Sequence, residues 1–324
     1  MPGLPPSLPS IPLASFPTPV EELLNLRGML TGASGTRPRL FVKRDDAISF
    51  AFGGNKVRKM QLVAADALKR RADTLITCGG VQSNHARVTA ATAAKLGLRC
   101  VLVANGTQPE RPTANALLDG LLGADVRYVR DRSQRAPEME AVAEELRLEG
   151  RHPYLIPIGA STPRGAAGFV QALFEVLTQI DPPDVIVHST SSGGTQAGLV
   201  AGCILAGVGT RVIGISADES SATLERDIRG LLQGLERLLA VESGRFASAD
   251  VVVDDTFVGG GYGVPTDASR EAIAIAARTE ALFLDPTYTA KAMAALIARY
   301  RLGEFSGDGT VLFWHTGGQV GLFA

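Results

Sequence analysis

Short runs of Val, Ile and Leu alternate along this chain with longer alanine-rich segments of amphipathic spacing, and that alternation restricts the fold more than any other feature. The apolar runs are Leu40 to Lys43, Thr74 to Cys78, Cys100 to Ala104, Val126 to Val129, Tyr154 to Pro157, Val185 to His188, Val212 to Ala217, Val251 to Phe257 and Val311 to His315. Between them lie helix-like segments at 58–70, 84–96, 138–149, 168–179, 195–206, 268–279 and 289–301. Strands that alternate with helices of this length predict α/β architecture with mostly parallel sheets and helices on both faces. The runs are apolar throughout rather than at every second residue, as expected for strands covered on two sides. By pattern there are two units, with residues 50–160 holding four strand–helix pairs and the remainder a larger set.

Composition narrows the class of function. The chain has 324 residues, a net charge of -1 and 45% hydrophobic residues, so it can bury a large core or two coupled ones. The balanced charge predicts no nucleic-acid partner. No apolar stretch reaches the length of a membrane span. The proline-studded N-terminus (Pro2, Pro5, Pro6, Pro9, Pro12) lacks the basic and continuous apolar regions of a signal peptide and is expected to pack as an arm over the body. Cys78, Cys100 and Cys203 are odd in number and have no CxxC spacing, and the four histidines stand far apart. Buried thiols in a reducing, cytoplasmic compartment and no metal site are expected.

In open α/β sheets ligands bind beyond the carboxyl ends of the strands, so the loops there carry the candidate chemistry. In the first, Gly53-Gly54-Asn55-Lys56, two glycines permit close backbone approach and a lysine follows at a helix start. A desolvated amine there can condense with a carbonyl, although a lysine so placed is also commonly just solvated. In the second, Gln82-Ser83-Asn84-His85, hydroxyl, amide and free helix N–H groups form a carboxylate site, or Ser83 simply caps the helix. In the third, Ser189 to Thr195, small hydroxyl residues and Gly193-Gly194 form a phosphate cup. No lysine accompanies that loop in the sequence, so a monophosphate on neutral donors is expected. The fourth and fifth are Asp285-Pro286-Thr287-Tyr288-Thr289 and His315-Thr316-Gly317-Gly318. There Tyr288 could exchange protons and Thr316 could offer a neutral hydrogen bond, or both could be structural.

Taken together and in this order, these segments, with Gly261 to Pro265, Phe16 to Glu21 and Val42 to Asp46, resemble the fold-type II pyridoxal-phosphate enzymes. The likeness covers nearly the whole chain and is strongest to the D-cysteine desulfhydrase and 1-aminocyclopropane-1-carboxylate deaminase branch. It implies a two-domain, tryptophan synthase β-like fold: residues 1–49 and 161–324 as the larger, cofactor-binding domain and 50–160 as the smaller. It implies pyridoxal 5'-phosphate carried on Lys56, with Asn55 on the ring hydroxyl. Ser191, Ser192, Gly193, Gly194 and Thr195 would hold the phosphate, and Thr316 would face the ring nitrogen. Gln82, Ser83, Asn84, Tyr288 and Thr289 would bind substrate, with Lys56, Ser83 and Tyr288 catalytic. It also implies a homodimer acting on a small amino acid.

The branch divides by substrate. Its deaminases carry Glu after the tyrosine and Leu at the C-terminal turn; here those positions are Thr289 and Thr316, as in the desulfhydrase pattern. D-Cysteine, giving pyruvate, sulfide and ammonia, is therefore the expected substrate. L-Cysteate sulfo-lyase, cyclopropane-carboxylate deaminase and a catalytically silent cofactor-binding protein are the alternatives.

Overall fold

A computed structural model describes residues 7–31, 38–305 and 309–324. In chain order its strands and helices are β1 (Val20–Glu22), α1 (Leu24–Thr31), β2 (Arg39–Arg44), α2 (Asn55–Lys69), β3 (Thr74–Gly80), α3 (Asn84–Leu96) and β4 (Arg99–Asn105). Then come α4 (Ala114–Leu121), β5 (Asp125–Val129), α5 (Arg135–Leu148), β6 (Pro153–Ile156), α6 (Pro163–Leu177), β7 (Val185–Thr190) and α7 (Gly194–Ala206). The chain finishes with β8 (Arg211–Ser216), α8 (Ser221–Leu239), β9 (Val252–Asp254), α9 (Asp267–Glu280), α10 (Thr289–Leu302) and β10 (Thr310–His315).

The strands form two sheets, ordered β1-β2-β10-β7-β8-β9 and β5-β4-β3-β6. Every pairing is parallel except that of β1 with β2. The α/β class expected from the alternation is the class observed. Helices cover both faces of each sheet. On the larger sheet α6, α7 and α8 build one apolar layer and α1, α9 and α10 the other. On the smaller sheet α2 and α3 cover one face and α5 the other.

Boundaries differ from expectation where side chains intervene. The β9 strand stops at Asp254 because its carboxylate accepts from the backbone N–H and hydroxyl of Thr256, which turns the chain. The α6 helix begins five residues before the expected 168, at Pro163, capped by the Thr162 hydroxyl. Three helices were not expected: α1, α4 and α8. In α8, Leu224, Ile228, Leu232, Leu235 and Leu239 make a buried stripe, with Gly234 buried beside it and Gly230 exposed. Gly234 serves packing, since a Cβ there would sit 2.3 Å from the Pro163 ring.

The N-terminal arm packs on the body from Leu8 onward, and the Ile11 N–H donates to the carbonyl of Gln61. Pro2, Pro5 and Pro6 lie outside the described residues. A buried polar hub ties this arm to both units. Arg58 of α2 donates to Asp45, Glu175 and the Thr18 hydroxyl, all at 2.9–3.0 Å. Lys43 donates to Glu175 at 2.6 Å and the Trp314 indole to Asp45 at 2.9 Å. Burial favours the neutral Glu175, yet Arg58 and Lys43 override it and hold the carboxyl at about 2. Cys78, Cys100 and Cys203 are free and buried. Among the described residues no helix is long and apolar enough to cross a membrane, and no His, Cys, Asp and Glu side chains group as metal ligands.

Candidate active site

A cavity of about 750 Å³ opens where the carboxyl ends of both sheets face each other. Its wall contains Asn55, Lys56, Ser83, Asn84, Ser191, Ser192, Gly193, Gly194, Thr195, Tyr288 and Thr316, which lie far apart in the chain.

Lys56 enters from the first turn of α2. Gly53 and Gly54 have φ of 72° and 100°, and a Cβ on Gly53 would come within 2.6 Å of the Asp46 carbonyl. Only glycine fits that approach, which seats Asn55 against β10: its N–H donates to the Thr316 carbonyl at 2.9 Å. The Lys56 amine donates to Asn55 Oδ1 at 3.0 Å, and Asn55 Nδ2 donates to the Thr195 hydroxyl at 3.0 Å. Burial, and secondarily the positive charge of Arg87, lowers Lys56 to about 8 against the opposing pull of Asp285. Roughly a tenth of this amine is thus neutral, and nucleophilic, at pH 7, where an ordinary lysine has far less than a hundredth.

Ser83 caps α3, its hydroxyl accepting from the Ala86 N–H at 3.2 Å, and both Ser83 and Asn84 reach the cavity. Gln82 does not. Its side chain accepts from the Asn115 N–H at 2.9 Å and donates to the Thr113 carbonyl, which pins α4 behind the loop. Arg87, buried below, donates to Asn84, Asn115 and the carbonyl of Gly53. One guanidinium therefore joins the Ser83–Asn84 loop to the Gly-Gly-Asn-Lys loop.

Residues 189–195 curl around the start of α7, with Gly193 at a φ of 73°. The helix N-terminus points its free N–H groups at the cavity. The Thr190 hydroxyl, buried in the same wall, has no hydrogen-bond partner among the described residues. The expectation that no lysine serves this cup is overturned. Lys59, one helical turn after Lys56, donates to the Gly159 carbonyl at 3.0 Å and to Ser161 at 3.3 Å. Its amine lies 2.9 Å from where a Cβ on Gly194 would stand. Burial, and then Lys56, lowers Lys59 well below an ordinary lysine. Ser161 adds an unforeseen hydroxyl, 2.7 Å from that of Ser192.

Tyr288 meets Tyr262 edge-on, with hydroxyls 2.6 Å apart. Burial, and then Tyr262, raises Tyr288 well above 10, so both phenols stay protonated in this pair. Tyr262 sits in the Gly259–Gly263 loop, inside the Gly261 to Pro265 segment that carried the resemblance, although no role was read for it there. Thr289 departs from expectation. It is buried away from the cavity and exchanges hydrogen bonds with Asp285 at 2.7–2.9 Å. Asp285 also accepts from the Tyr288 N–H, so this pair orients the tyrosine. The Thr316 hydroxyl lies 2.9 Å from that of Ser189. His85 also lines the wall. Burial, followed by Lys56 and Lys59, pushes it well below 6.5, and its Nε2 meets the Thr77 hydroxyl at 2.8 Å.

These groups suit one ligand type. A buried, partly neutral amine stands beside a cradle of hydroxyls, helix N–H groups and a second amine. That donor set matches an aldehyde bearing a phosphate, and the hydroxyl left over on Thr190 has an acceptor to meet there.

Comparison with known proteins gives the same answer independently. The pattern describing the pyridoxal-phosphate dependent enzymes matches residues 11–317. The D-cysteine desulfhydrase of Salmonella typhi is 38% identical over 324 residues, covering 98% of this chain and 96% of that protein. The crystal structure of an ACC deaminase homologue superposes with a TM-score of 0.89 at 35% identity, covering 98% of this chain and 94% of the other. Threonine deaminase isoform 2 of Solanum lycopersicum, 16% identical with a TM-score of 0.67, shares the fold. This chain belongs to the fold-type II pyridoxal-phosphate dependent enzymes, in the family of D-cysteine desulfhydrase and ACC deaminase.

Proposed function

We propose that the enzyme eliminates a β-substituent from a small amino acid, and that D-cysteine is the substrate, giving pyruvate, sulfide and ammonia. The observation that carries this reading is the convergence of Lys56, the α7 cradle, the Ser83–Asn84 helix end and Tyr288 on one cavity. Likeness to a desulfhydrase over the full chain supports the choice of substrate.

Lys56 would hold the cofactor through its amine and afterwards carry a proton. Asn55 would meet the ring hydroxyl. Ser191, Ser192, Gly193, Gly194 and Thr195, joined by Lys59, would hold the phosphate. The bound cofactor supplies an electron sink that lets the α-proton leave. Ser83, Asn84 and the first N–H groups of α3 take the substrate carboxylate, where the helix end favours an anion. Tyr288, kept protonated, donates a proton or a hydrogen bond at the reacting centre and does not serve as a base. Thr316, its hydroxyl paired with that of Ser189, would offer the ring nitrogen a hydroxyl rather than a carboxylate. A neutral partner would leave that nitrogen less firmly protonated, a weaker sink that suits loss of a heteroatom group better than opening of a carbon ring. Gln82 and Thr289 act one step back, on Asn115 and on Asp285 with Tyr288. Residues 1–49 and 161–324 form the larger domain and 50–160 the smaller, and the enzyme works as a cytoplasmic homodimer.

Two measurements test this. Purified protein should show the visible absorbance of bound pyridoxal phosphate, and Lys56→Ala should abolish it; an unchanged band in the variant overturns the assignment. Products from D-cysteine, L-cysteine, L-cysteate and 1-aminocyclopropane-1-carboxylate should then be assayed. Sulfide and pyruvate from D-cysteine are expected. Sulfite from L-cysteate alone, or 2-oxobutanoate alone, would refute the substrate.

A further inference from the structure

Three basic side chains in the cavity wall meet only neutral acceptors: Lys56 on Asn55, Lys59 on Gly159 and Ser161, and Arg135 on Asn105. The proposed function uses the two lysines. It leaves Arg135 without a role. The other arginines of the wall are already paired, Arg132 with Asp218 and Glu219 at 3.1 and 3.2 Å and Arg226 with Asp227 at 3.1 Å. Among the described residues no carboxylate lies within ion-pair reach of Arg135.

Its position is also electrostatically poor. Arg135 is the first residue of α5, where the helix dipole disfavours a positive charge. Burial, with Arg132 nearby, lowers its guanidinium from the ordinary value. An unfavourable cation kept in a cavity suits an anion that arrives with the ligand.

The geometry says which end of the ligand that is. Arg135 Nε donates to Asn105 Oδ1 at 2.8 Å, at the carboxyl end of β4. A Cβ on Gly80 would lie 3.9 Å from that same oxygen and 3.6 Å from the Tyr262 ring. Arg135 is therefore held beside the Tyr262–Tyr288 pair. The phosphate cradle is built from different elements, at the start of α7. The Ser83–Asn84 helix end is assigned to the carboxylate. What remains for Arg135 is the substrate side chain.

We propose that Arg135 receives the group that departs from the β-carbon, stabilising it as an anion. The inference rests on the elimination proposed above. In that reaction the pair from the Cα–H bond becomes the Cα=Cβ bond, and the Cβ–S bond breaks with both electrons staying on sulfur. The sulfur leaves as HS⁻, the α-proton goes to a base, and nothing is oxidised or reduced. Arg135 keeps its protons and donates hydrogen bonds to the departing sulfur.

The test compares leaving groups of different basicity in the holoenzyme. Chloride leaves without help, whereas sulfide is a stronger base. Arg135→Gln should lower kcat/KM for D-cysteine on the order of 10- to 100-fold and for β-chloro-D-alanine by about 3-fold or less. Arg135→Lys should recover part of the loss. Equal losses on both substrates would show a structural role only and overturn the proposal. A binding arm needs no turnover. By calorimetry 3-sulfopropanoate should bind wild type more tightly than propanoate does, and Arg135→Gln should erase the difference. A difference that persists in the variant overturns it. Were wild type to release no sulfide from D-cysteine, the substrate reading would fall alone, and the binding arm would still decide Arg135.

Discussion

At the scale of residues, the reactive amine owes its character to its surroundings. Burial brings Lys56 to about 8. Only the neutral amine attacks an aldehyde, so capture of pyridoxal phosphate by the cofactor-free enzyme should accelerate as pH rises and level off just above 8. Stopped-flow absorbance across pH 6–11 would show this; a rise that continues to the ordinary lysine range would disprove it. Lys56, Ser83 and the cup at 191–195 were legible because glycines, hydroxyls and a helix start sit together in the sequence. Lys59, Ser161, Tyr262 and Arg135 were not, because each meets its neighbours only across the fold. Gln82 and Thr289 show the reverse case. Their positions sit inside the right loops, but a bond across the fold turns Gln82 to Asn115 and a local one turns Thr289 to Asp285.

At the scale of elements, the cradle is accurate only if α7 is fixed in depth. Gly198 and Gly202 let α6 and α7 approach closely, and a Cβ on Gly198 would stand 2.1 Å from the Ala166 carbonyl. Gly198→Ala should therefore push the helices apart and cost about 1–3 kcal/mol, the usual range for overpacking. The urea midpoint would report the loss, and pyridoxal phosphate affinity should fall with it because the start of α7 moves. An unaltered midpoint would contradict this account. The spacing of apolar residues marks most strands and helices to within a few residues. It misses α8, whose stripe is helical but whose Gly230 and Gly234 lower intrinsic helicity; Gly234 makes sense only once Pro163 is seen against the helix.

At the scale of the whole molecule, the arm and both units meet at Arg58, Asp45, Glu175 and Lys43. Removing one partner from such a hub leaves a buried charge uncompensated, so Glu175→Gln should destabilise by about 3–5 kcal/mol in denaturant titrations at neutral pH. The hub also predicts acid behaviour. Glu175 stands at about 2 when folded, against 4.5 for an unperturbed glutamate. The unfolded chain binds the extra proton first, so its contribution is complete above about 4.5 and is lost as pH falls toward 2. That part of the acid sensitivity should be missing in Glu175→Gln, and an acid profile parallel to wild type would count against the hub.

The order of apolar runs and amphipathic segments determined the α/β class, and the loop motifs determined which amine and which phosphate cup to look for. Those are local facts, set by side-chain periodicity and by residues that only certain turns accept. The tertiary structure alone decided which side chains face the cavity, which cations stay unpaired there, and how far burial shifts them. Orientation, pairing and desolvation depend on neighbours tens or hundreds of residues away, and a chain brings those together only by folding.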